Sequence, residues 1–66
     1  MRVWRYIFSV NSVPSDCDVE LAVIDHDDIH ALVFACRRVE NFWVNAKTNT
    51  AIEVHPTHWR EWREES

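Results

Sequence analysis

Apolar and polar residues alternate with a period of two along much of this chain. In "VWRYIFSV", residues 3–10, Trp4, Tyr6, Phe8 and Val10 fall on one side, and Val3, Arg5, Ile7 and Ser9 on the other. That period, in residues that favour extended backbone, predicts an N-terminal strand within residues 1–10. "NSVPSD" then reads as a loop. "DVELAVID", residues 18–25, sets Val19, Leu21 and Val23 against Asp18, Glu20 and Ala22, the pattern of a half-buried strand. After a turn at "HDD", "IHALVFACRRV", residues 29–39, is almost continuously apolar up to Arg37. It predicts a central strand covered on both faces and joined to its predecessor as an antiparallel hairpin. Along it Ala31, Val33 and Ala35 point one way, and Leu32, Phe34 and Cys36 the other.

Further on, Glu40-Asn41 makes a turn into a short strand, Phe42 to Asn45, and "AKTNT" leads to a return strand with Ile52 and Val54 on one face. The chain contains no glycine, so backbone positions at positive φ fall to the next most tolerant residues, Asn and Asp. A hairpin loop of this length commonly ends at positive φ, and Asn49 stands at that place. In "HPTHWREWREES" the period changes. Pro56 or Thr57 opens a helix that puts Trp59 and Trp62 on one face and Arg60 and Glu64 on the other. So short a helix cannot stand alone, and its indoles must dock on something. The reading is mainly β, with a small α+β fold as the alternative. It is one domain, residues 1–66: the N-terminal strand (1–10), an antiparallel meander (18–54) and a short C-terminal helix (57–64). About four to five short strands in all are expected, curled by analogy into a half-open SH3-like barrel.

Length restricts function. A domain of 66 residues buries only about 60% of its unfolded surface, and a core of this size supplies about 3–5 kcal/mol. An enclosed ligand pocket would compete with that core for volume, whereas a standard interface of about 800 Å² per side needs only part of one face. The balance favours binding over catalysis, and no enzyme activity is expected. The net charge of −4 disfavours nucleic-acid binding through bulk electrostatics. Six acids lie between residues 16 and 28 without a base, a pattern that ordinarily marks a solvated edge and loop. Arg5 and Ser9 interrupt the first apolar run, so it does not match a secretory leader. No segment approaches the roughly 18 apolar residues of a membrane span. A soluble cytoplasmic protein is expected, with Cys17 and Cys36 as thiols and no membrane association.

Without glycine there is no phosphate-binding loop, dinucleotide fingerprint or nucleophile elbow. "DHDDIH" begins like a calcium loop but has His30 where the sharp turn needs glycine and Cys36 where a bidentate glutamate belongs. Zinc would need about four ligands from His26, His30, His55, His58, Cys17 and Cys36, and nothing in the spacing brings the two histidine pairs together. No metal or other cofactor is assigned. Cys36 with a histidine is the only nucleophilic pair worth weighing, and its place in the most apolar segment suits an inert buried thiol. No catalytic residue is assigned.

"HALVFACRR", "FWVNAKTN" and above all "PTHWREW" resemble a group of short bacterial proteins of unknown function, over roughly residues 18 to 62. In that group proline often stands at the position of Ala35 and glycine at that of Asn49, the second departure fitting the turn argument. The resemblance implies a compact cytoplasmic protein and carries over no ligand or catalytic residue.

The tryptophans are the best functional lead, since each can bury about 150–250 Å² in the core or against a partner. The first reading is a small non-enzymatic protein-interaction or self-associating module, partnered by another protein or by a second copy. Its surface is formed by Trp43, His58, Trp59, Arg60 and Trp62, with Trp43 and Trp59 also the natural core candidates. The alternative is a single-stranded nucleic-acid-binding β domain using Arg37, Arg38 and Trp43, and a structural metal-binding domain stands third. Solvent exposure of Trp43, Trp59 and Trp62 separates core from interface.

Overall fold

In the computed structural model, which describes residues 3–63, the alternating segments form seven antiparallel strands of one open sheet. They are β1 (Arg5–Tyr6), β2 (Val19–Ile24), β3 (Ile29–Ala31), β4 (Cys36–Val39), β5 (Phe42–Asn45), β6 (Ala51–Ile52) and β7 (His58–Glu61). The order across the sheet is β1-β7-β2-β4-β5-β6, with β3 also on β2. β1 and β6 are its two ends and do not pair with each other. The mainly β expectation holds, with more and shorter strands than the hydrophobic pattern suggests. No helix among the described residues is long and apolar enough to cross a membrane.

The segment expected as a C-terminal helix is instead β7, set into the sheet between β1 and β2. The reason is tertiary. One edge of β2 is open until β7 fills it, with Leu21 opposite Trp59 and Glu20 opposite Arg60, and a ladder on a buried strand outweighs weak local helix propensity. Trp59 and Trp62 therefore do not share a helix face, and Glu64 of the expected Arg60–Glu64 pair lies outside the described residues. The N-terminal strand is also reduced, to Arg5–Tyr6, because the chain leaves the sheet at Phe8 and turns through a short 3-10 segment, Val10–Ser12. Ser9 caps that segment, its hydroxyl accepting from the Asn11 N–H.

A second correction concerns residues 29–39. They do not run as one central strand. Glu20 and Leu21 of β2 face the four residues Leu32 to Ala35, a wide bulge that separates β3 from β4. Because the excess is an even number of residues, alternation survives. Leu32, Phe34 and Cys36 all reach the core, while Val33 on the other side is 88% exposed. The central role passes to β2, flanked by β7 on one side and by β3 and β4 on the other.

The core gathers Val19 and Leu21 of β2, Cys36 of β4, Trp43 of β5, Trp59 of β7 and Val13 from the loop. Val13, fully buried, carries no periodic signal; its carbonyl is fixed by the Arg38 Nε–H at 2.7 Å. Among the described residues two backbone positions lie in the left-handed region, Glu40 at φ 53° and Asn49 at φ 60°. Asn49 closes the β5–β6 hairpin as its sequence position predicts, donating its N–H to the Asn45 carbonyl at 2.7 Å.

Candidate functional site: the outer face of the sheet

Residues directly opposite in an antiparallel pair lie on the same face, so the registers define two surfaces. Val19, Leu21, Cys36, Trp43 and Trp59 occupy the inner one. The outer one carries Tyr6, His58, Ala22 and Ala31 as one cross-strand row through β1, β7, β2 and β3. Arg60 and Glu20 form the next row, extended by Trp4, whose ring lies 4.1 Å from the Arg60 guanidinium carbon.

Both rows are held by specific contacts. Arg60 donates from Nε to Glu20 Oε1 at 2.9 Å and from Nη2 to Oε2 at 3.4 Å, the fork geometry that suits arginine and carboxylate. The same guanidinium stacks on Trp4. Tyr6 meets His58 edge to face, ring centres 5.6 Å apart and planes at 72°. Thr57 Oγ1 lies 2.8 Å from His58 Nδ1 and also accepts the Ile24 N–H at 2.8 Å, so the residue before β7 fixes the imidazole. Beyond β7, the Trp62 N–H reaches the Asp18 carbonyl at 3.2 Å. Trp62, Asp18, Val33, Ala35 and Lys47 border an open depression of about 460 Å³. Asp18 in turn accepts from Arg37 Nη2 at 2.6 Å.

The residues expected to form one surface are thus divided. Trp43 and Trp59 are each only 7% exposed and belong to the core, with Arg5 over the Trp59 ring at 5.4 Å. His58 and Arg60 lie on the outer face and Trp62 near its lower end. Trp4 and Tyr6, which complete that face, were not among the expected site residues; the alternation in "VWRYIF" already put them together on one side. The nucleic-acid set comes apart as well. Arg37 faces outward and pairs with Asp18, its Nε buried without a partner. Arg38 lies opposite Trp43 and donates to the carbonyls of Val13 and Glu40.

No group of three or more potential metal ligands gathers among the described residues. His26 and His30 flank the β2–β3 turn, beside Asp27 and Asp28. There Asp25 Oδ1 accepts from the N–H groups of Asp27 and Asp28 at 3.0 and 2.9 Å, so that carboxylate organises the turn. Cys36 is buried, and desolvation pushes its thiol up to about 11, where it is neutral at physiological pH. Cys17 is exposed. No family model, no curated protein and no solved structure matches the chain.

Proposed function

We propose that this chain is a small non-enzymatic interaction domain that engages a protein through the outer face of its sheet, from Tyr6 and Trp4 across His58 and Arg60 to Trp62. The observation that carries the reading is Arg60, already clamped by Glu20 and stacked on Trp4 in the row next to Tyr6. Trp, Tyr and Arg anchor protein interfaces, and side chains fixed in advance lose little entropy on binding. Tyr6 is 62% exposed beside them. A nucleic-acid reading draws less support, because Arg60 and Arg37 are each matched by a carboxylate and the net charge is −4.

The test places a photo-crosslinking amino acid at Tyr6 or, as a control, at the exposed Asp27 on the β2–β3 turn, in cells producing the protein. The expected result is a discrete protein adduct from position 6 and none from position 27. Adducts of equal yield at both positions, or adducts to nucleic acid, overturn the proposal. Sedimentation over a range of concentrations then identifies whether the adduct is a second copy or another protein.

A further inference from the structure

The sheet ends at β6, and its last strand is not finished. The Asn45 N–H bonds the Thr50 carbonyl at 2.8 Å, and Trp43 and Val44 stand opposite Ile52 and Ala51. Hydrogen-bonded and non-hydrogen-bonded pairs alternate in an antiparallel ladder. Trp43–Ile52 is therefore a bonded pair and Val44–Ala51 is not. The N–H and C=O of Ala51 consequently point away from β5, toward the side where no further strand pairs among the described residues.

An open groove of about 370 Å³ adjoins β6 at Ile52, with apolar walls formed by Ile7, Val10, Trp43, Ile52 and Val54. The groove reaches the core: Ile7, Val10, Ile52 and Val54 all pack on the core cluster and are only partly covered. Glu53 stands on the rim, and no lysine or arginine among the described residues lines the groove. Free main-chain groups beside an apolar trough are what an added β-strand requires, with the backbone supplying affinity and alternate side chains supplying choice. A compact small molecule would leave the Ala51 groups unused.

We infer that β6 and this groove bind an extended peptide segment of another protein, with the local pattern apolar, Lys or Arg, apolar. The pattern follows from the register. In a strand added antiparallel to β6 that draws residues 53 and 54 into the same ladder, side chains across from Ile52 and Val54 enter the groove, and the one between them lies across from Glu53 on the opposite face. A cation there meets a carboxylate that has no ionic partner among the described residues. This site is separate from the outer-face contact proposed above, so either can fail without the other.

The experiment is a chemical-shift titration of the full chain with two capped pentapeptides, Thr-Val-Lys-Val-Thr and Thr-Val-Glu-Val-Thr. The lysine peptide is expected to shift the amides of residues 51–54 and to bind about tenfold or more tightly than the glutamate peptide, the scale of exchanging an attractive for a repulsive charge contact. Glu53→Lys reverses that preference. N-methylation of the peptide at the amide facing Ala51 abolishes binding with the protein untouched, and Ala51→Pro, a substitution that edge strands tolerate, does the same from the protein side. Shifts confined to Tyr6, His58 and Trp62, equal binding of both peptides, or no shift with either one overturns the inference. Self-association that Ala51→Pro removes, without peptide binding, also overturns it and assigns the edge to a second copy.

Discussion

Glu20 and Arg60 face each other directly across the β2–β7 pair, on the surface opposite the core, with side chains only 13% and 23% exposed. A pair so little hydrated is sensitive to losing one member, because the other stays in place without its counter-charge. Glu20→Gln, which keeps the volume and removes the charge, is expected to cost about 1–3 kcal/mol in urea unfolding. In a double-mutant cycle with Arg60→Met, the combined loss should be clearly smaller than the sum of the single losses. Additive losses would show that the two side chains do not cooperate.

The two left-handed residues should respond differently to glycine. Asn49 is a tolerant residue at φ 60°, so Asn49→Gly is expected to be neutral or slightly stabilising. Glu40, at φ 53°, has no such tolerance. Glu40→Gly should gain about 0.5–1 kcal/mol, partly offset by the greater freedom of glycine in the unfolded chain. Thermal melts of both variants check the ranking, and a fall in melting temperature for Glu40→Gly would contradict it.

Thr57 is expected to be more sensitive than its exposure suggests. Its hydroxyl accepts the Ile24 N–H at 2.8 Å, where the β2 ladder has no carbonyl to offer. Thr57→Val preserves shape and strands that donor, for a loss of about 1–3 kcal/mol. Thr57→Ser, which retains the acceptor, should lose less, and urea denaturation of the two variants separates hydrogen bonding from packing.

The thiols give a pH dependence with a definite sign. Burial pushes the Cys36 thiol from its ordinary value near 9.0 up to about 11. Below pH 9 it is neutral in folded and unfolded chains alike. As the pH rises from about 9 to about 11 the unfolded thiol ionises first, so stability falls, by about 2–3 kcal/mol over the interval. Cys36→Ala should flatten that part of the profile. In native protein at neutral pH, a thiol reagent should label the exposed Cys17 rapidly and Cys36 only on unfolding, as peptide mass spectrometry would show.

Much of this architecture was legible in the sequence because period two is a strong signal. It placed Val19 and Leu21 on the core face and Phe42 to Asn45 as a strand, while the hairpin loop in a chain without glycine put Asn49 at positive φ. It also sorted Leu32, Phe34 and Cys36 from Ala31, Val33 and Ala35. The failures came where distant pairing decided the outcome. "THWREW" fits both a helix and a strand, and only the open edge of β2 selects the strand. The bulge at Leu32 to Ala35 arises from registers fixed at both of its ends, which no local pattern encodes. Val13 is buried in the core cluster, and its carbonyl is held by an arginine 25 positions away in the chain.

The outer face was half legible. His58, Arg60 and Trp62 came from the C-terminal segment by composition alone, but their neighbours Trp4 and Tyr6 arrive only through the pairing of β1 with β7. Aromatic content could not separate the indoles that turn inward from those that do not. Strand alternation does so, once the segment is known to be a strand: Trp59 faces in, while His58 and Arg60 face out.

The insertion of β7 between β1 and β2 has a kinetic corollary. On a ribosome, β1 emerges early yet finds no neighbour until β7 has been synthesised, so the first-made strand is among the last to be secured. High contact order of this kind slows folding and leaves the nascent N-terminal segment, with Trp4, Tyr6 and Phe8, open to chaperones in the meantime.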